Sequence, residues 1–230
     1  MNETESEKVV SVSSRGQATI PKQFREELGI NTPGRVKFVR TDEGEIVVRP
    51  IHSVTDLRGI LEGNTDEQRT TPIKRSCGSA TPMMTRPTQM DRAEIPETIV
   101  FDAEPLIAYF CDESGSDTVE MYIDAVEGAA DGYMSTINLA EVHYIVRTID
   151  GEKRADAVVD ILEESGIRRV DTEGAWRLAA DFIFRYAPAL GDAFALGTAA
   201  HVNGMLLVDA DDDYDDITEV PITRFRTGWV

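Results

Sequence analysis

The sequence is poor in cysteine and histidine. Its 230 residues include two cysteines and three histidines. Cys77 and Cys111 lie far apart and belong to no paired spacing, and His52, His143 and His201 show no metal-ligand spacing. The pattern therefore indicates neither a disulfide framework nor a zinc site, and we expect free thiols.

Long apolar runs and the common catalytic loops are also missing. The most apolar stretch, residues 193–208, is interrupted by His201 and Asn203, and the first residues are too acidic and polar for a secretory signal. No Gly-x-Ser-x-Gly motif or glycine-rich phosphate loop occurs. We therefore expect a soluble, cytoplasmic protein without a membrane partner.

Basic residues are scarce in the C-terminal part. The chain has 23 Lys and Arg against 42 Asp and Glu, a net charge of −19. Residues 1–96 are balanced, whereas residues 97–230 hold 9 basic and 28 acidic residues. One explanation is an acidic surface that keeps the protein soluble in a salt-rich cytoplasm, as in an acidic proteome. The N-terminal part is left comparatively basic.

The first 51 residues predict a small β-rich domain of order ββαββ. A glycine turn at Gly16 separates two β-branched segments, and Pro21 and Gly29 bracket a short helix. The predicted elements occupy residues 9–12, 17–20, 22–28, 36–40 and 45–49. Because a unit of this size buries little core, we expect a homodimer that shares strands between chains.

Residues 52–96 have the composition of a linker. They are rich in Thr, Pro, Gly, Arg and Gln and lack periodicity, apart from a short possible helix at residues 54–61. A flexible tether with no other role is one interpretation of this segment.

Residues 97–230 predict an α/β domain. Strands are predicted at residues 98–101, 133–135, 167–170 and 205–208. Helices are predicted at residues 103–110, 118–127, 137–149, 152–165, 173–186 and 192–203. This alternation is typical of a parallel sheet flanked by helices, in which chemistry gathers at the carboxyl ends of the strands.

Several carboxylates lie where that chemistry would be. Asp102 directly follows the first strand, and Asp211 and Asp213 follow the last predicted one. Glu141 lies on or beside an apolar helix face, and Asp192 opens the last long helix. The alternatives are helix capping for Asp102 and Asp192 and a basic partner for Glu141, and most other acids of residues 209–216 are expected to be solvated surface. Convergent carboxylates repel one another, and Mg²⁺ would hold them together.

Three of these segments resemble the acidic motifs of a PIN domain of the VapC toxin type. They read Phe-Asp-Ala-Glu-Pro-Leu at 101–106, Thr-Ile-Asn-Leu-Ala-Glu at 136–141 and Gly-Asp-Ala-Phe-Ala-Leu at 191–196. The resemblance covers residues 97–230 and implies an α/β nuclease that cleaves RNA. The residues implied to bind Mg²⁺ or Mn²⁺ for catalysis are Asp102, Glu141, Asp192 and Asp211.

The last motif departs from the family pattern. The family usually has Thr-Gly-Asp-x-Asp-Phe, whereas residues 209–214 read Asp-Ala-Asp-Asp-Asp-Tyr. Asp211 and Asp213 keep their places, and Asp213 could share the metal with Asp211. Gly191 stands where a small polar residue such as serine is common.

The N-terminal segment resembles the AbrB/SpoVT/VapB swapped-hairpin family. Residues 12–22 read Val-Ser-Ser-Arg-Gly-Gln-Ala-Thr-Ile-Pro-Lys, and the resemblance covers residues 8–51. It implies a dimer that binds operator DNA. The candidate DNA contacts are Arg15, Gln17, Thr19 and Lys22. Ordinary helix surface is the alternative for Lys22.

Residues 55–62 resemble the toxin-binding tail of such antitoxins. We expect Leu57, Ile60 and Leu61 to dock on the nuclease while Arg58, or a later arginine, offsets the acidic site. This possible inhibitory segment would keep the enzyme off in cis, so deleting residues 52–75 should raise RNA cleavage.

The sequence thus predicts both halves of a toxin–antitoxin pair in one chain. Residues 1–51 form the DNA-binding domain, residues 52–96 the linker and residues 97–230 the Mg²⁺- or Mn²⁺-dependent endoribonuclease. One alternative is a DNA-binding regulator whose PIN-like part is catalytically silent and serves assembly. A more distant one is a Mg²⁺ phosphohydrolase acting on small molecules.

Overall fold

A computed structural model describes residues 8–30, 32, 34–41, 44–61 and 95–226. The chain forms two compact units, Met1–His52 and Ser53–Val230. Among the described residues, no helix combines the length and apolar character needed to cross a membrane.

The first unit is built on one antiparallel hairpin. Strands β1 (Arg35–Arg40) and β2 (Ile46–Ile51) pair along their whole length, and helix α1 (Lys22–Glu27) precedes them. The two strands predicted at 9–12 and 17–20 are reduced to one bridge between Val12 and Ala18. The glycine turn between them is present, with Gly16 at a φ of 78°.

The first unit lacks a core of its own within the described residues. None of residues 8–30, 32, 34–41 or 44–52 is buried. Val9 is 91% exposed and Phe38 is 69% exposed. A single copy of this unit therefore leaves its apolar side chains in water, at a cost of about 25 cal/mol for each Å² left uncovered.

The second unit is an α/β sandwich. Its strands are β3 (Thr98–Phe101), β4 (Asp131–Ser135), β5 (Ile167–Val170), β6 (Met205–Val208) and β7 (Ile222–Arg224). All are parallel, in the order β5-β4-β3-β6-β7. Its helices are α2 (Ala103–Phe110), α3 (Ser116–Gly128), α4 (Thr136–Asp150), α5 (Glu152–Glu164), α6 (Thr172–Tyr186) and α7 (Leu190–Val202).

Successive side chains of the central strands pack into two apolar layers, one on each face of the sheet. Ile99 and Phe101 pack with helices α2 to α5, whereas Val100, between them, packs with α7 and Phe182 of α6. Because successive side chains point to opposite faces of a strand, the all-apolar run at β3 is covered on both sides. This confirms the predicted fold class, a parallel sheet flanked by helices.

Two details of the second unit differ from the sequence interpretation. Strand β7 was not predicted, since it is only three residues long and none of them is buried. Cys111 is disulfide-bonded, so the expectation of a free thiol was wrong for this residue. Two isolated cysteines give no spacing signal, and only the fold determines whether each meets a partner. Cys77 lies outside the described residues.

Candidate functional site

The acidic residues gather where the chain changes direction across the sheet. From β3 the chain continues to β4 and β5 on one side, whereas β6 and β7 lie on the other side of β3. Asp102 follows β3, and residues 209–213 follow β6, its neighbour. Ligands of open α/β sheets bind at such a switch point, beyond the carboxyl ends of the strands.

Asp102 is the buried centre of the group, with 8% of its surface exposed. It stands at the N-cap position of α2, but its side chain makes no capping hydrogen bond. Instead Asn138 Nδ2 donates to its Oδ1 at 2.7 Å. Burial raises the pKa of Asp102 to about 7, and the charges of Asp192, Glu141 and Glu104 add to the effect. A cation at this point would reverse the shift.

Asn138 was not singled out from the sequence. It is fully buried in the first turn of α4, where its backbone N–H donates to Ser135 Oγ at 3.0 Å. Its Nδ2 also donates to the carbonyl of Gly191 at 3.2 Å, so one amide joins β3, α4 and the start of α7. A polar residue three positions before Glu141, on the same buried helix face, was the available signal.

Glu141 lies on α4 and is partly buried. A Cβ added at Gly191 would stand 3.3 Å from Glu141 Oε2, a tight contact. The glycine therefore leaves room for this carboxylate, which gives a physical reason for the departure from a small polar residue.

Asp192 is partly buried in the first turn of α7. Burial raises its pKa, and the charges of Asp211 and Asp213 raise it further, while Tyr214 and the Ala189 amide lower it. The N-cap residue of α7 is Ala189, and Asp192 is the third residue of the helix.

Asp211 and Asp213 lie on the solvent side of the cluster and are exposed. The Asp213 amide donates to Asp211 Oδ1 at 3.1 Å, which orders the loop locally. Tyr214, at the end of the motif, is buried with 4% of its surface exposed. Its hydroxyl is near Asp192 but forms no hydrogen bond of ordinary geometry within the described structure.

The donor chemistry of this cluster suits a hard divalent cation. Its side chains offer carboxylate oxygens, and burial, together with the charges of neighbouring acids, raises the pKa values of Asp102 and Asp192. Within the described residues, however, no three His, Cys, Asp or Glu side chains already stand close enough to hold an ion. The residue types therefore fit a metal, although the described side chains do not already form a site.

Residues 53–61 pack onto the second unit. Leu57 and Leu61 are 3% and 4% exposed within the main core, and Ile60 packs against it. The Gly59 amide donates to the Tyr109 carbonyl at 3.2 Å, which ties the segment to the end of α2. Of the helix predicted at 54–61, a 3₁₀ helix at Val54–Leu57 forms.

Arg58 has partners other than the acidic cluster. Its guanidinium contacts Asp112 at 2.6 Å, Asp117 at 2.7 Å and Glu120 at 2.6 Å. Asp112 lies two residues beyond the end of α2, whereas Asp102 directly precedes its first residue, and the eight helical residues between them span about 12 Å. The expectation that Arg58 itself offsets the site is therefore replaced by an ion-pair cluster at the far end of α2.

The residues considered for DNA contact lie on the surface of the first unit. Arg15, Gln17, Thr19 and Lys22 are all exposed. Lys22 forms an i,i+4 ion pair with Glu26 at 3.4 Å, which a surface lysine gives up easily.

Two family models match the chain. The PIN-domain model matches residues 99–220, and the model described as antidote-toxin recognition MazE, bacterial antitoxin, matches residues 9–56. The protein belongs to the PIN-domain family, a nuclease superfamily that generally uses divalent metal ions, and it carries an antitoxin-type domain at its N-terminus. Both predicted resemblances are thereby confirmed. No curated protein matches the chain.

Three solved structures are similar to part of this chain, the first of them a toxin–antitoxin complex. One from Klebsiella pneumoniae is 18% identical, with coverage of 56% of this chain and 98% of that one and a TM-score of 0.45. VapBC2 from Rickettsia felis, bound to a promoter DNA fragment, is 14% identical, with 55% and 98% coverage and a TM-score of 0.44. FitAcB from Neisseria gonorrhoeae is 20% identical, with 55% and 97% coverage and a TM-score of 0.42.

Proposed function

We propose that this chain is a fused toxin–antitoxin protein, whose second unit is a Mg²⁺- or Mn²⁺-dependent endoribonuclease and whose first unit binds operator DNA. The observation that carries the nuclease proposal is the buried Asp102 carboxylate, whose pKa is about 7, among further acids at the switch point of a PIN-family sheet. Such a carboxylate is unfavourable unless a cation compensates it.

The residues proposed to hold the metal are Asp102, Glu141, Asp192, Asp211 and Asp213. A divalent cation bound there would supply activation of a water molecule and stabilisation of charge at the scissile phosphodiester. The Asn138 amide donates to one oxygen of Asp102, and the proposal assigns the carboxylate to the metal through its other oxygen. Asp211 and Asp213, which are exposed, would complete the set from the solvent side.

The test is cleavage of RNA by the purified full-length chain with Mg²⁺ or Mn²⁺ and with EDTA. We expect metal-dependent cleavage that Asp102→Asn abolishes. Asp160→Asn is the matched control, because Asp160 is an exposed acid on α5. Cleavage that survives Asp102→Asn would show that another site, or a contaminant, does the chemistry.

We also propose that the first unit is a homodimer that binds DNA. Its apolar side chains Val9, Val12, Phe38 and Ile46 are exposed in a single copy, and a second copy would cover them. Arg15 lies on the exposed turn closed by the hydrogen bond from the Ser13 amide to the Gln17 carbonyl, where it can reach a phosphate or a guanine edge.

DNA binding is tested with the fragment upstream of the protein's own coding sequence. Arg15→Ala should weaken binding by at least about tenfold and flatten its salt dependence, because a phosphate or guanine contact is lost. Arg147→Ala is a matched control in the second unit. Equal affinity for wild type and Arg15→Ala would remove this residue from the interface.

Residues 53–61 are proposed as the antitoxin-like segment docked in cis. Because Leu57 and Leu61 are part of the core, deletion of residues 52–75 would unfold the domain as well as release any inhibition. Arg58→Gln separates the two effects, since it loosens the segment without removing core side chains. Faster RNA cleavage would support inhibition in cis, and unchanged cleavage would make the segment structural only.

A catalytically silent PIN domain that serves assembly is the second candidate. It is favoured by the absence, in the described part of the chain, of three side chains already placed to hold a metal ion. Tight DNA binding without metal-dependent RNA cleavage would support it.

A further inference from the structure

Arg226, two residues beyond the end of β7, binds the acidic loop that follows β6 through hydrogen-bonded ion pairs. Its Nε donates to Asp209 Oδ1 at 2.6 Å and its Nη2 to Asp209 Oδ2 at 2.5 Å, a two-pronged ion pair. The same Oδ1 accepts the Ala210 amide at 2.6 Å. The guanidinium is thus linked through one carboxylate to the backbone of the loop.

The same guanidinium also contacts acidic residues at both ends of α2, the helix that follows Asp102. Arg226 Nη1 donates to Glu113 Oε2 at 3.1 Å, and Nη2 lies 3.7 Å from Glu104 Oε1. Only 16% of the Arg226 side chain is exposed. All three of its nitrogens face carboxylates of the chain, so Arg226 joins the loop after β6 to both ends of α2 rather than offering a free charge to RNA.

A second arginine of the same segment holds the next part of the loop. Arg224 Nη2 donates to the Asp211 carbonyl at 3.1 Å and forms an ion pair with Asp215. Two of the few basic residues of this unit therefore bind one loop. In this loop Asp209 and Ala210 stand where the family motif has Thr-Gly.

We propose that Arg226 is a positioning residue, which holds the loop carrying Asp211 and Asp213 against α2 through Asp209 and thereby sets the outer half of the acidic site. The effect on metal binding rests on the proposed function, whereas the anchoring of the loop does not.

Substitutions of Arg226 distinguish anchoring of the loop from a direct effect of the arginine charge, because the two predict opposite changes in Mn²⁺ affinity. Arg226→Lys keeps the charge but loses the two-pronged geometry, and we expect its Mn²⁺ dissociation constant to rise about tenfold. Arg226→Gln should weaken Mn²⁺ binding at least as much, although removing a nearby positive charge would by itself strengthen it. Calorimetric titration of the full-length chain measures both, with Arg168→Gln, at the other end of the sheet, as control.

Hydrogen exchange in the metal-free protein provides the second readout. The Ala210 and Asp213 amides should exchange faster in both Arg226 variants, while those of β6 and the thermal unfolding midpoint change little. Mn²⁺ binding as tight as wild type, or unchanged loop exchange, in a folded variant would overturn the proposal. If Arg226→Gln does not fold, Arg226→Lys decides. A wild type that binds no Mn²⁺ refutes the metal site, and loop exchange alone then decides the anchoring.

Discussion

The two units of this protein differ in how completely each covers its own apolar side chains. In the second unit residues such as Phe101, Leu106 and Leu196 are fully buried. In the first unit no described residue is buried, and Phe38 is 69% exposed. The second unit therefore has an apolar core of its own, whereas the proposed function of the first unit includes a second copy that covers its apolar side chains.

The largest expected effect concerns the buried charge of the second unit. Below about pH 4 Asp102 is protonated in both folded and unfolded chains, and above about pH 7 it is charged in both. Between these values only the folded state holds the proton, so stability is lost as the pH rises from about 4 to about 7. The loss is on the order of 4 kcal/mol.

Urea unfolding of metal-free protein between pH 4 and pH 8 measures this effect. The difference in the free energy of unfolding between wild type and Asp102→Asn should change by that amount across the pH range. Mg²⁺ should make this change smaller. A difference that is constant with pH would contradict the buried, protonated Asp102.

The next effect concerns the boundary between the units. Leu57 is 3% exposed in the core of the second unit, so Leu57→Ala should lower its free energy of unfolding by about 3 kcal/mol. Tryptophan fluorescence reports this transition, because Trp176 lies on α6 of that unit and residues 1–52 contain no tryptophan. Val12→Ala, in the first unit, should leave it unchanged. A loss below about 0.5 kcal/mol for Leu57→Ala would detach residues 53–61 from the enzyme.

A smaller effect is expected on assembly. Phe38→Ser should weaken the homodimer by about 2 kcal/mol, which is about a 30-fold higher dissociation constant by sedimentation equilibrium. Phe184→Ser is the matched control, because Phe184 is 90% exposed but lies on α6 of the second unit. If Phe184→Ser dissociates the dimer and Phe38→Ser does not, assembly belongs to the enzyme unit instead.

The smallest effect is expected for Arg58→Gln. Its ion pairs are a third or more exposed, so their loss should cost less than about 1 kcal/mol of unfolding free energy. The same tryptophan-detected urea titration measures it, with Arg154→Gln, which breaks an exposed i,i+4 pair, as comparison. A cost above about 2 kcal/mol would make Arg58 a principal anchor of the segment.

The sequence was most informative where local pattern and burial agree. The strand at Thr98–Phe101 and the helix at Ala103–Phe110 have the predicted bounds, because an apolar run followed by an N-cap residue and a helix leaves few alternatives. The first two predicted strands do not pair with each other along their length, and only a single bridge forms between Val12 and Ala18. Alternating β-branched residues indicate a strand but do not identify the chain segment it pairs with.

The site was predictable only as a set of acids. Besides the resemblance, Asp102 was selected because it follows a strand and Glu141 because it lies beside an apolar helix face. No local pattern indicates that Asn138 bridges Asp102 to α7 or that Arg226 binds Asp209. Charge alone likewise could not predict which acids pair with Arg58, because the second unit contains many acidic residues. These contacts depend on tertiary positions far apart in the chain.

The central claim, an acidic site that cleaves RNA with a divalent metal, is tested most directly by the rate of RNA cleavage against Mg²⁺ concentration for the full-length chain near pH 8. The account predicts no cleavage in EDTA, a rate that rises to saturation with Mg²⁺, and no measurable rate for Asp102→Asn at any concentration. A wild-type rate that is zero throughout, or independent of Mg²⁺, would contradict it.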